Sequence, residues 1–314
     1  MMRRVIYTCL ITAIVLVACS GERKLFSPDD VGVLGVYGML YVDRRLPAIA
    51  VYRAQAPDKP FDPQRAAERG ATVTVTFGGS PITYQENSPG IYVPWGLIDP
   101  DSLAVRPETR YRLEVVSQSG ERLTAETTTP PSLSVADWVL LDDDATTVIR
   151  RLKTFAEIED EDDVYTDPQN QLIYTEGLLE AWLNPVLAGG YQAGIYALDP
   201  DSGFVFDPEF LEDEDFEDFE PNIASPPILN TETEIRLPWF AIYFKGRYKV
   251  KIFAIDRNWF DLARTVPELA GGGGGFGGNA GDDFERPIFH VIGGIGIFGS
   301  ASMDSVGFTV HPRP

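Results

Sequence analysis

Residues 71–77, Ala-Thr-Val-Thr-Val-Thr-Phe, alternate small or apolar with polar side chains at a period of two. That period cannot keep one face of a helix apolar, but it gives a strand one buried and one wet face. The surrounding chain is also strand-like. "VGVLGVYGMLYVD" and "LPAIAVYRAQ" are apolar runs parted by Arg44-Arg45. Gly78-Gly79-Ser80 turns "ATVTVTF" into "PITYQ", and "SPGIYVPW" and "RYRLEVV" follow. Ser119-Gly120 then turns the chain into "RLTAETTT", which Pro130-Pro131 stops. Short strands at this spacing with turn signals between them predict an immunoglobulin-like β-sandwich over residues 31–131.

Beyond Pro131 the text stays β-rich. "GYQAGIYAL", "GFVFD", "TEIRLPWFAIYF" and "RYKVKIFAI" read as strands, as does the closing "PIFHVIGGIGIFGSASMDSVGFTV". "ADWVLLDDDATTVIRRLKTF" fits strand or helix. "RNWFDLARTVPELA" has apolar residues at helical spacing and predicts one helix. The expectation is an all-β protein of two sandwich domains, the second spanning 132–314 with long acidic and glycine-rich loops.

Both cysteines, Cys9 and Cys19, fall in the first twenty of 314 residues. Arg3 and Arg4 precede an uncharged, largely apolar run from Val5 to Ala18, about the length of a secretory signal and short of the roughly twenty residues that span a bilayer. The run ends Leu16-Val17-Ala18-Cys19, which is similar to the bacterial lipobox, whose cysteine is lipidated and becomes the first residue. The expected organisation is a signal peptide over 1–18, then lipidated Cys19 and a polar tether over 19–30. The mature chain would keep no free thiol. With only His290 and His311 remaining, a Cys/His zinc site cannot be assembled, and a serine triad would have to use one of those two histidines. His290 reads as part of an apolar strand and His311 lies near the C-terminus, so both are assigned structural roles.

The chain has 26 Lys and Arg against 47 Asp and Glu, a net charge of −21 that becomes −23 when Arg3 and Arg4 leave with the signal. Nucleic acid is therefore not an expected partner, and anionic lipid would not hold the chain by charge. Six lysines against twenty arginines on an acid-rich background fit a surface kept soluble in high salt, or a GC-rich coding bias.

Several motifs point to chemistry and then fail on spacing. Gly294, Gly296 and Gly299 match GxGxxG, but too few residues follow for the helix and acidic residue of a dinucleotide site. Gly271 to Gly275 lacks the Gly-Lys-Ser/Thr ending of a phosphate loop. Asp199-Pro200-Asp201-Ser202-Gly203 places glycine one position early for a calcium loop, so it is read as a hairpin turn. The acidic runs Glu157–Asp163 and Glu212–Glu220 are read as solvated loops, with a weak divalent-cation site as the alternative. Isolated carboxylates in different environments, not crowded ones, make a glycosidase. Trp95, Trp138, Trp182, Trp239 and Trp259 are read mostly as core anchors that could otherwise stack on sugars.

Five stretches together carry a resemblance: the lipobox Cys19, "GATVTVTFGGSPITYQENSPGIYVPWG", "YRLEVVSQSGERLTAETTTPP", "FKGRYKVKIFAIDRNWFDLART" and "VIGGIGIFGSAS". The chain resembles the Bacteroidetes-type envelope lipoproteins of domain-of-unknown-function family 4249, most specifically in Gly-Gly-x-Gly-x-Phe-Gly near the C-terminus. The Gly271–Gly281 loop and the acidic runs depart from that pattern. The resemblance implies an outer-membrane lipoprotein often found near TonB-dependent transporters, with no assigned activity or site residues. The combined expectation is a non-catalytic accessory binding or assembly module that needs no cofactor or metal. Its membrane partner is reached through lipid on Cys19. The alternative is a carbohydrate-binding or carbohydrate-active protein using exposed Trp and paired carboxylates.

Overall fold

The computed structural model describes residues 31–56, 60–96, 103–206, 219–266 and 287–314. Cys19, the tether, most of the Glu212–Glu220 run and the Gly271–Gly281 loop lie outside them.

The protein is all-β. Seven strands fill the first part, each within a stretch that reads as strand: β1 (Leu34–Tyr41), β2 (Ile49–Arg53), β3 (Thr72–Phe77), β4 (Ser80–Ser88), β5 (Ile91–Pro94), β6 (Arg110–Val116) and β7 (Arg122–Thr128). A four-residue helix, α1 (Pro63–Ala66), sits between β2 and β3; Asp62 caps it by accepting from the Gln64 and Arg65 amides. The segment left open between strand and helix is a hairpin, β8 (Val135–Leu141) and β9 (Val148–Arg151). The Asp142 carboxylate closes its turn by accepting from the Thr146 and Thr147 amides.

The remaining strands are β10 (Gln171–Ile173), β11 (Leu178–Leu183), β12 (Gly190–Ala197), β13 (Asn222–Ala224), β14 (Glu234–Leu237), β15 (Gly246–Ile255), β16 (Val291–Ile292) and β17 (Ile295–His311). The expected strand "GFVFD" does not form. Phe204 forms an isolated bridge with Phe244, and its ring stacks on those of Phe206 and Phe244 and packs against Phe219. The predicted helix does form, as α2 (Arg257–Thr265), with Asp256 as its cap.

Two sheets organise these strands. A four-stranded sheet runs β14-β11-β8-β9, and a larger one runs β13-β12-β15-β17-β1-β2-β5-β4-β3-β6-β7-β16, with β10 also on β17. Two cores result. In one, Trp138, Leu140, Leu179 and Ile235 of the small sheet meet Ile195, Val250, Val306 and Phe308 of the large sheet. In the other, Val36, Val73, Tyr111, Leu113 and Leu123 pack around Phe298. Each such fully buried aliphatic or aromatic side chain contributes about 1.5–3 kcal/mol.

The strand pairing runs across the expected boundary at residues 131 and 132. β17 is 17 residues long, where strands commonly have about five or six. Its first part lies parallel to β1, from Gly35–Ile295 to Tyr41–Ala301, and its second part lies antiparallel to β15. Just before it, β16 pairs with β7. The segment 291–301 therefore occupies both edges of the first sheet and supplies Phe298 to the first core. Glycine makes this crossing feasible. A Cβ on Gly293, Gly294 or Gly296 would sit 2.2, 2.3 or 2.0 Å from the carbonyl oxygens of Arg122, Leu34 and Val36, and Gly293 and Gly296 have φ of +82° and +106°. The GxGxxG match is thus a strand start, with no helix after it.

Candidate functional site

The sequence-derived candidates disperse. Within Glu157–Asp163, Glu157 accepts from the Thr154 amide, Asp160 from the Asp162 amide, and Glu161 pairs with Lys249 at 2.5 Å. Asp199 grips Arg247 with both oxygens, at 2.8 and 2.9 Å, and that hydrogen-bonded partner holds its carboxyl below the ordinary range. Among the described residues, no three His, Cys, Asp or Glu side chains converge as a metal site would require.

His290 precedes β16 and lies outside any strand, contrary to the sequence reading. Its Nε2 is 2.9 Å from Asp261 Oδ2, and Asp261 also accepts from Arg257 Nε at 2.7 Å and Arg264 Nε at 2.9 Å. Burial acts to raise the Asp261 pKa, but the three cationic or polar partners outweigh it and hold the carboxyl below its usual range. His290, but not Asp261, lines an open cavity of about 550 Å³ together with Arg112, Glu126 and Asn258. An Asp–His pair can orient a base, but among the described residues Nδ1 of His290 has no hydrogen-bond partner, so no hydroxyl completes a triad. His311 bonds Gln171 at the surface.

Four of the five tryptophans are engaged in the fold. Trp138 is buried, Trp239 donates to the Gly177 carbonyl, Trp259 packs on Tyr41 and Phe253, and Trp182 lies beneath Arg151 and donates to Glu180. Trp95 is 63% exposed.

The most distinctive surface is one that the sequence reading passed over. On β15, Tyr248, Val250 and Ile252 point into the core, so Arg247, Lys249 and Lys251 share the opposite face. The Lys249 ammonium lies 4.3 Å from the Phe155 ring centre and the Lys251 ammonium 4.8 Å from that of Tyr196. Tyr196 lies across Gly194, where a Cβ would come within 2.8 Å of the tyrosine oxygen. Burial, then the neighbouring Tyr37 and Tyr196, push the Tyr41 hydroxyl up to about 12. Lys251 is shifted the other way, its ammonium disfavoured first by partial burial and then by Lys249 and Arg44. Rings and cations from β1, β12, β15 and the loop after β1 thus meet on one shallow face. Its sequence signal was "KGRYKVK" (245–251), where three of the chain's six lysines cluster against a strongly acidic background.

Comparison with known proteins adds family and little else. A family model described as "Domain of unknown function (DUF4249)" matches residues 25–305. No curated protein matches. Among solved structures, the FN1–FN3 domains of chicken CNTN1 are 13% identical, with 88% of this chain and 66% of that chain covered and a TM-score of 0.23. A 1.5-MDa bacterial ice-binding adhesin, in a structure concerned with its host cell surface retention, is 8% identical, with 89% and 64% covered and a TM-score of 0.20. The chain therefore spans less than two thirds of the length of those structures, at overlaps too low to argue a shared fold. Among the described residues, no helix is long and apolar enough to cross a membrane.

Proposed function

The chain belongs to the DUF4249 family, and from that membership we propose that it is an outer-membrane lipoprotein acting as a non-catalytic accessory binding or assembly module, beside a TonB-dependent transporter. The observation that carries the reading is Leu16-Val17-Ala18-Cys19 at the end of an uncharged run that follows Arg3-Arg4. A surface with net charge −23 after loss of the leader is repelled by anionic headgroups, so acyl chains on Cys19 must supply the anchoring. Cells fed radiolabelled palmitate should yield a labelled protein, and Cys19→Ala should leave unlabelled, unprocessed precursor. A mature, unlabelled wild-type protein would refute the anchor.

The alternative, a carbohydrate-active protein, is favoured by one observation, the exposure of Trp95. Bond cleavage in a glycan panel by the intact protein would separate it from the binding reading.

A further inference from the structure

We infer that the face formed by Tyr37, Tyr41, Tyr196, Arg44, Lys249 and Lys251 binds an acidic polysaccharide, a chain of uronate-type sugars. The inference rests on the binding-module reading and names the ligand class that the module takes.

Charge is the first argument. The chain has 47 acidic residues for 26 basic ones, so a cation left without an acid is the less expected state. Lys249 is taken by Glu161. Among the described residues, neither Lys251 nor Arg44 has a carboxylate within 4 Å. Arg44 and Lys249 also act on Lys251 as like charges. A ligand carboxylate placed between Arg44 and Lys251 would relieve that repulsion and gain two charge-assisted contacts.

Shape is the second. Tyr37 is 56% exposed, so its ring is offered at the surface, while Tyr196, laid over Gly194 and carrying the Lys251 ammonium 4.8 Å from its ring centre, positions that cation beside it. Sugar rings present flat C–H faces that stack on such rings.

The backbone supplies the third. β1, β12, β15 and β17 each have a partner strand on both sides, so a peptide cannot add to the sheet here by main-chain hydrogen bonds. Recognition must come from rings and cations, the combination an anionic glycan uses.

The test is calorimetric titration of the whole chain in detergent with polygalacturonate oligomers. About 0.1 M NaCl screens the protein's overall negative charge beyond roughly 10 Å while leaving close contacts intact. Dextran and poly-L-glutamate serve as the neutral and the peptide comparison. Wild type should bind polygalacturonate and not dextran. Lys251→Met and Tyr196→Leu should each weaken binding about tenfold, the scale of one hydrogen bond to a charged group, with unchanged thermal unfolding, and Arg65→Met should bind as wild type does. Absence of binding, undiminished binding by both variants, or equal binding of poly-L-glutamate, which would mark an acidic protein segment as the partner, would overturn the inference. Labelling at Cys19 is independent of all three outcomes, so a negative titration removes the ligand class and leaves the anchored module standing.

Discussion

Asp256 should be a residue whose charge weakens the fold at neutral pH. It is 6% exposed, caps α2 by accepting from the Trp259 amide at 2.9 Å, and accepts from Thr127 Oγ1 at 2.5 Å. Thr127 Oγ1 is in turn 2.7 Å from Ser300 Oγ, so the carboxyl links α2 to β7 and β17. Burial raises its pKa from 3.8 to about 6, against the opposing pull of the bonds from Thr127 and Trp259 and of nearby His290. The folded chain therefore holds this proton to higher pH than the unfolded chain does. Stability from the group is full below about pH 4, declines as pH rises toward 6, and is lost above. At about 1.4 kcal/mol for each pH unit separating the two states, the loss is roughly 3 kcal/mol.

Asp256→Asn keeps the cap, because asparagine caps as well as aspartate. Its amide can donate to Thr127, which then donates to Ser300. The variant should match the parent near pH 4 and exceed it by up to about 3 kcal/mol at pH 8. Urea unfolding of both proteins from pH 4 to 8 measures this, and contributions such as that of Asp261, which run in the opposite direction, cancel in the difference. A difference that is constant with pH, or a variant less stable at pH 8, would refute the reasoning.

Two further perturbations probe the packing. Gly296→Ala places a Cβ against the Val36 carbonyl at a positive φ, and should cost at least about 2 kcal/mol, seen as a lower Tm. Arg236→Met strips the ion pair from Glu180, whose side chain is 4% exposed, and should cost about 3 kcal/mol in urea unfolding. Adding Glu180→Gln to that variant should recover part of the loss, because the buried charge is gone.

Strands such as β6 and β7 are legible because each has one buried and one wet face, the condition under which side chains alternate, whereas β1, buried on both faces, shows as an apolar run. β11 carries no such signal. Its outward residues, Glu180 and Trp182, are covered by Arg236 and Arg151, so "LLEAWL" lacks a clean polar face. "GFVFD" alternates and still makes no strand beyond the bridge from Phe204 to Phe244, and its phenylalanines cluster with Phe219 and Phe244. "VIGGIGIFG" carries a β signal, but nothing local says that its glycines clear the carbonyls of Arg122, Leu34 and Val36. The Tyr41–Tyr196–Lys251 face was hidden for a related reason. Its members come from distant strands whose adjacency is set by pairing, and only the lysine cluster of β15 was visible along the chain.

The parallel pairing of β1 with β17 has a mechanical consequence. A pull on the chain ahead of residue 31 draws β1 backward along its own axis. The opposing load enters β17 from its far end, where β15 grips Ala301 to Val310. The two strands are then dragged past each other lengthwise, and every rung from Gly35–Ile295 to Tyr41–Ala301 bears the load together. Peeling would break those rungs one at a time, at a much lower force. The same pull applied between residue 31 and the β2 end would peel, since β1 and β2 form an antiparallel hairpin. The joint is therefore stiff along the direction in which an N-terminal tether would tug.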